Sequence, residues 1–138
     1  MYVSGSAEVV VDNCMAEAED HGFQASGRGA YIGLHLAPNS AWDCNRGAYA
    51  TGFCSVNITR LAMINCTSGA YATRQTLVIA NEAAAAACTT GYYAEKGGYI
   101  DAPDSDAENQ GNGTDYNPAP GGIPGSAQGN HYGTIYAS

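Results

Sequence analysis

Residues 44–50, Cys-Asn-Arg-Gly-Ala-Tyr-Ala, return as Cys-Thr-Ser-Gly-Ala-Tyr-Ala at 66–72 and as Cys-Thr-Thr-Gly-Tyr-Tyr-Ala at 88–94. The copies lie 22 residues apart, so cysteine, glycine and tyrosine each recur on one period. The same spacing predicts two apolar columns: Leu34, Val56, Val78 and Ile100, and Leu36, Ile58, Ala80 and Ala102. Five columns that share one period identify the chain as a structural repeat.

The pattern inside each repeat is that of β-strands. Apolar residues alternate, as in Val56-x-Ile58 and Ala70-x-Ala72, which is the period of a strand with one buried face. Glycine and Asn-Cys-Thr turns interrupt every run before a helix could form. At roughly 3.3 Å per extended residue, one repeat traces about 70 Å, which suits a three-sided coil. The sequence therefore predicts an all-β fold, a short right-handed parallel β-helix of about four coils.

The repeat also predicts coil boundaries and an interior. Val9 matches Leu34 at a spacing of 25, so the first coil carries about three extra residues, which we assign to 28–30. The run 83–87 is interpreted as strand, because its register matches 61–65. The predicted coils are residues 6–30, 31–52, 53–74 and 75–96. The predicted inward residues are Trp42 and Cys44, then Val56, Ile58, Ile64, Cys66, Ala70 and Ala72, then Val78, Ala80, Ala86, Cys88, Tyr92 and Ala94.

Five cysteines, an odd number, leave at least one unpaired. In a stacked column, the β-carbons of Cys44, Cys66 and Cys88 lie about 4.8 Å apart, beyond the roughly 3.5–4.5 Å of a disulfide. We therefore expect reduced thiols that fill the core, and synthesis in a cytoplasm. A structural metal is not expected, because no CxxC or Cys/His pair has ligand spacing, and we expect no cofactor.

Composition excludes several classes of protein. A net charge of −8 with only five Lys and Arg argues against nucleic-acid binding by counterion release. The sequence also carries no signal peptide pattern and no run of the roughly 20 apolar residues that span a bilayer, so we expect no membrane insertion.

The composition changes after Pro103. Residues 103–130 contain four of the five prolines and many glycines, which favours a loop-rich segment over another coil. We therefore divide the chain into a parallel β-helix at 1–102 and a Gly/Pro-rich C-terminal cap at 103–138. Because the apolar residues of this cap have no core of their own, we predict that they pack around a trimer axis. They are Ile123, Tyr132, Ile135 and Tyr136.

The chain resembles the C-terminal part of a bacteriophage tail fibre or tailspike. The resemblance rests on Gly5-Ser6, on Gly-Ala-Tyr-Ala at 47–50 and 69–72, on Asp-Tyr-Asn-Pro-Ala at 115–119, and on the aromatic ending at 131–136. It implies a parallel homotrimer on the virion tail, outside the cell after assembly in the host cytoplasm. The implied partners are a longer tail fibre chain and a receptor or polysaccharide of the bacterial surface.

Three functions stay open. The first is adhesion, for which Tyr49, Tyr71 and Tyr93 form an outward ladder that either stacks on sugar rings or packs against another subunit. The second is a glycoside hydrolase or lyase that degrades polysaccharide, a reaction that needs paired carboxylates. The third is a C-terminal trimerisation or chaperone module of a longer fibre.

The candidate catalytic acids are Asp12, Glu17, Glu19 and Asp20, close to His21. Glu17 and Glu19 fall on positions predicted to point inward, so we expect the strand to shift by one and to turn Ala16 and Ala18 inward instead. That shift places the acids on the surface, where solvation is the simpler role. A second acidic group follows at Asp101, Asp104, Asp106 and Glu108, and its role is either solvation or calcium binding, although its spacing is not that of a known calcium loop.

Overall fold

The computed structural model describes residues 1–36, 38–103, 105, 110–117 and 133–137. This part of the chain contains sixteen β-strands and no helix. The strands are β1 (Tyr2–Ser4), β2 (Glu8–Val10), β3 (Met15–Glu17), β4 (His21–Ser26), β5 (Tyr31–Gly33), β6 (Asn39–Trp42), β7 (Arg46–Thr51), β8 (Ser55–Asn57), β9 (Leu61–Ile64), β10 (Ser68–Thr73), β11 (Leu77–Ile79), β12 (Ala84–Ala86), β13 (Thr90–Glu95), β14 (Tyr99–Ala102), β15 (Thr114–Asn117) and β16 (Thr134–Ala137).

The strands form three parallel sheets. Sheet A has the order β1-β4-β7-β10-β13-β15, sheet B the order β2-β5-β8-β11-β14-β16, and sheet C the order β3-β6-β9-β12. Each of the first four passes adds one strand to each sheet in turn, and β13 to β16 extend sheets A and B, which makes a β-solenoid of about five turns with a period of about 22 residues. The predicted parallel solenoid is confirmed, with about one turn more than predicted.

The predicted register is confirmed in the later coils and wrong in the second. Val56 pairs with Val78, and Val78 with Ile100. Val56 also pairs with Ile32, whereas Leu34 had been predicted at that position. Leu36, predicted to be buried, has 63% of its surface exposed.

Extra residues at two corners explain the shift. Ser26 pairs with Thr51 and Tyr31 with Ser55. The corner from Ser26 to Tyr31 is therefore one residue longer than the corner from Thr51 to Ser55 in the next coil. Ile32 pairs with Val56, and Asn39 pairs with Leu61. The segment from Ile32 to Asn39 therefore holds two more residues than the segment from Val56 to Leu61, and they lie after Leu34. The prediction that all three lie at 28–30 is therefore wrong.

Sheet C has the opposite phase to the one predicted. Leu61, Met63, Ala83 and Ala85 are fully buried. Ile64 and Ala86, predicted to point inward, lie on the outer face, and so does Trp42, 41% exposed. The cause is the corner between sheets C and A, where one residue of each coil has a left-handed backbone: Ala18, Asp43, Asn65 and Ala87, with φ from 53 to 56°. Such a residue resets the alternation, so counting back from the cysteine gives the wrong face.

The cysteine column has the predicted form. All five cysteines are free, and Cys44, Cys66 and Cys88 are buried. Each of these thiols donates to the carbonyl two residues before it, over 3.3 Å to Trp42, 3.5 Å to Ile64 and 3.4 Å to Ala86. The contact between the Cys66 and Cys88 thiols, together with burial, raises the pKa of Cys66.

Strands continue past residue 102, where the sequence had predicted no further coil. β15 pairs with β13, and β16 pairs with β14 with Ile135 opposite Ile100. Composition missed both strands because the Gly- and Pro-rich segment separates them. Ile123, Tyr132, Asp104, Asp106 and Glu108 lie outside the described residues, and the cap and the trimer stay predictions.

Candidate binding face on sheet A

The outer face of sheet A carries a tyrosine ladder that the register creates. Tyr49 pairs with Tyr71 and Tyr71 with Tyr93 in adjacent strands. Ala48 and Ala50 on either side of Tyr49 are fully buried, so the tyrosine points outward. Strict alternation in a six-residue strand thus places one partly exposed ring on each of three successive coils.

The rings stack on one another along the solenoid axis. His21 and Tyr49 lie 4.7 Å apart between ring centroids, and Tyr71 and Tyr93 also 4.7 Å, both pairs at 28°. Tyr49 and Tyr71 meet edge to face at 5.3 Å and 73°. Because ring faces cover each other within the stack, the ladder offers ring edges and hydroxyl groups to a ligand more than open faces.

A charged cluster forms one end of the ladder. The guanidinium carbon of Arg46 lies 4.7 Å from the ring centroids of both Tyr49 and Tyr71. Arg46 Nη1 is 2.8 Å from Nε2 of His21, and His21 Nδ1 is 2.9 Å from Oδ2 of Asp20. Asn45 Nδ2 donates to Oδ1 of Asp20 over 2.8 Å.

These contacts set the protonation of the cluster. The hydrogen bond from Asn45 lowers the pKa of Asp20, which is therefore ionised at neutral pH. Burial lowers the pKa of His21, and Arg46 lowers it further. A neutral imidazole with its proton on Nδ1 donates to Asp20 and accepts from Arg46, which satisfies all three groups.

Glu95 organises the other end. Tyr71 donates its hydroxyl proton to Oε1 of Glu95 over 2.6 Å, and Tyr93 donates to Oε2 over 3.4 Å. Lys96 Nζ lies 3.1 Å from Oε1 of the same carboxylate. Burial and the neighbouring carboxylate raise the pKa of Tyr71, so its phenol keeps its proton.

We call this surface the sheet A strip. It consists of Asp20, His21, Arg46, Tyr49, Tyr71, Tyr93, Glu95 and Lys96. Sequence reasoning had not singled out Arg46, Glu95 and Lys96. The signal was available, because Arg46 and Glu95 occupy columns that Ser68 and Thr73 fill in the coil between them.

The candidate catalytic acids lie on the surface. Asp12, Glu17, Glu19 and Asp20 are all exposed, and only Asp20 joins the strip. Ala16 pairs with the buried Ala41 and packs against the core, so the shift that turns Glu17 outward is confirmed. Ala18 is exposed at the corner, so its predicted inward position is wrong. A general acid needs a raised pKa, and that of Asp20 is lowered.

The predicted trimer residues have different environments. Ile135 is fully buried within its own chain, whereas Tyr136 on the same strand is 50% exposed. Only the second of these two side chains is therefore accessible to another subunit.

Two classes of site are absent from the described part of the chain. It holds no group of three or more His, Cys, Asp or Glu arranged to bind a metal ion. No helix there has the length and apolar character needed to cross a membrane.

No protein-family model, curated protein or solved structure matches the chain.

Proposed function

We propose that this protein is an adhesion module of a bacteriophage tail fibre or tailspike, and that the sheet A strip contacts polysaccharide on the bacterial surface. The observation that carries the proposal is the continuity of the strip. Each of its groups contacts the next, from Asp20 just before β4 to Lys96 just after β13. Such a surface is built to meet an extended ligand.

A periodic surface suits a periodic ligand. Strands stack about 4.8 Å apart, so the strip repeats aromatic and hydrogen-bonding groups at that interval. A linear polysaccharide repeats hydroxyl groups and apolar ring faces along its length. Arg46 and Lys96 donate hydrogen bonds, the carboxylates of Asp20 and Glu95 accept them, and the tyrosine edges pack against apolar sugar faces.

The proposed setting is a parallel homotrimer on the virion tail, joined to a longer fibre chain. The resemblance of the sequence to tail fibres supports this setting, and the exposed Tyr136 is a candidate contact between subunits. Packing of the strip against a second subunit is the competing role for the same surface. Degradation of polysaccharide has less support, because the candidate acids are all exposed and the pKa of Asp20 is lowered rather than raised.

An array of purified bacterial capsular and lipopolysaccharide glycans tests the proposal with the labelled protein. We expect binding to a subset of the polysaccharides, lost when periodate oxidises their sugars. Arg46→Gln should weaken that binding by about 3- to 10-fold, because the net contribution of a typical hydrogen bond is about 0.5–1.5 kcal/mol and a factor of ten corresponds to about 1.4 kcal/mol. The matched control is Arg60→Gln, which removes an exposed guanidinium paired with Glu82.

Light scattering separates the two roles of the strip. If the strip is a subunit contact, Arg46→Gln lowers the mass in solution and leaves glycan binding by the remaining assembly unchanged. Failure to bind any polysaccharide on the array would contradict the adhesion proposal.

A further inference from the structure

A groove of about 520 Å³ lies at the corner between sheets A and B, next to the end of the sheet A strip. Its lining includes Gly29, Phe53, Gln75, Thr76, Leu77 and Gly97. Phe53 is 57% exposed and Leu77 partly exposed, and the exposed Gln75 adds an amide, whereas the Thr76 hydroxyl is buried and donates to the Ala50 carbonyl. The groove therefore combines an accessible aromatic ring with the hydrogen-bonding amide of Gln75, a combination that suits a small ligand.

The backbone at this corner favours glycine, yet several coils carry other residues. Gly27 and Gly52 have φ of 89° and 82°, and Gly97 has 79°. In other coils, Arg74 and Lys96 occupy the position of Gly27 and Gly52, and Phe53 and Gln75 occupy the position of Gly97. These four residues hold the same left-handed backbone, with φ from 49 to 62°. An L-residue is strained there, so these side chains are kept at a cost in stability. Phe53 and Gln75 line the groove, and Arg74 and Lys96 are cations.

The charge at this corner is the reverse of the charge on the whole chain. The protein has a net charge of −8 and five basic residues, and three of those five lie here: Arg28, Arg74 and Lys96. Lys96 pairs with Glu95. Within the described residues, Arg28 and Arg74 have no carboxylate within ion-pair distance. The guanidinium of Arg28 lies 6.0 Å from the ring centroid of Phe53, which lines the groove.

We propose that the groove binds an acidic sugar, a uronic or sialic acid residue of a surface polysaccharide. The sugar ring packs against Phe53 and Leu77, its carboxylate pairs with Arg28 and Arg74, and its hydroxyls bond to Gln75. The proposal rests on the proposed adhesion function, for which it specifies the ligand class and a second contact beside the strip. Arg28 beside the exposed Phe53 ring, together with Arg74 next to Gln75 in the chain, favours an anionic sugar over a neutral one.

Isothermal titration calorimetry on the whole protein tests the proposal with three probes: tetragalacturonate, a hyaluronan tetrasaccharide and sialyllactose. The methyl ester of each probe keeps the sugar and removes the charge. We expect at least one acid to bind about 10-fold more tightly than its ester, and the difference to shrink with added salt.

Variants locate the site. The double variant Arg28→Gln, Arg74→Gln should weaken acid binding by about 3- to 10-fold, as expected for two partly solvated charge pairs. Phe53→Asn should weaken it by a similar factor, and asparagine tolerates a left-handed backbone, so this variant should fold at least as well as the parent. Arg60→Gln, the matched loss of charge at a different corner, should change affinity by less than about 2-fold.

The outcomes separate this inference from the adhesion proposal. Equal binding of acid and ester, or acid binding that the groove variants leave unchanged, overturns the acidic-sugar site while adhesion stands. Polysaccharide binding on the array without binding of any acidic probe would likewise overturn the acidic-sugar site and leave the adhesion proposal standing. Equal binding of tetraglutamate, lost in the same variants, would overturn the sugar assignment in favour of an acidic peptide. If neither the array nor the acidic probes show binding, both proposals fall.

Discussion

Replacement of Ile135 by alanine tests whether the C-terminal strand belongs to the solenoid core. Ile135 is fully buried, pairs with Ile100, and stands 35 residues after it in the sequence. The substitution removes three buried carbons, which at about 0.8 kcal/mol each correspond to about 2.4 kcal/mol. The cavity left behind brings the expected loss to about 2–4 kcal/mol in the free energy of unfolding.

The assay is urea and thermal unfolding followed by far-UV circular dichroism, with light scattering at each protein concentration. The matched control is Tyr136→Ala on the same strand, 50% exposed, which should lose less than about 1 kcal/mol. For a chain of this size we expect Ile135→Ala to melt roughly 8–15 °C lower. A loss below about 1 kcal/mol, or a fall in mass without a loss of stability in the monomer, would refute the core assignment and restore the trimer contact.

Three further predictions follow from the corners, the thiols and the strip. Ala87→Asn should stabilise the protein by up to about 1 kcal/mol, because asparagine tolerates the left-handed backbone at φ 54°. Ala84→Asn in the adjacent strand should not stabilise it. Equal effects of the two substitutions in unfolding experiments would contradict the corner geometry. Thiol labelling of the native protein should modify the exposed Cys14 fast and the four buried cysteines slowly, and fast reaction of a second thiol would contradict their burial. Burial lowers the pKa of His21 below its unfolded value of 6.5, so the contribution of His21 to stability is complete above pH 6.5 and falls as the pH drops through that value. The free energy of unfolding, measured from pH 8 to 5, should show this slope, and His21→Gln should flatten it. An unchanged slope in the variant would refute the assignment.

The repeat made most of the fold predictable from the sequence. Cysteine, glycine and tyrosine recur at one spacing because stacked coils give equivalent residues equivalent surroundings. The period therefore located the later coils, the buried thiols and the outward tyrosines, and it correctly overrode helix propensity at β12.

The errors lie where the backbone departs from the repeat. The two additional residues after Leu34 shift the register without changing the local alternation. The left-handed residue Asn65 brings Met63 inward and Ile64 outward, which a period of two cannot express. The strand at Thr134–Ala137 is separated from its neighbour by a long segment, and only three-dimensional pairing reveals it.

The candidate site was predictable in part. The tyrosine columns were visible in the sequence, but stacking of their rings, and the contacts of Arg46 and Glu95, depend on side-chain geometry. The groove was not predictable, because the strain of Phe53 and Gln75 appears only in backbone angles.

The most direct test of the adhesion account is backbone amide chemical-shift mapping of the whole protein during titration with a polysaccharide selected on the array. The account predicts shifts along strands β7, β10 and β13, with Ala62 and Ala84 on the outer face of sheet C unchanged. Additional shifts at the corner that holds Phe53 and Gln75 would support the groove as a second contact. Shifts confined to sheet C, or no shifts at saturating polysaccharide, would contradict it.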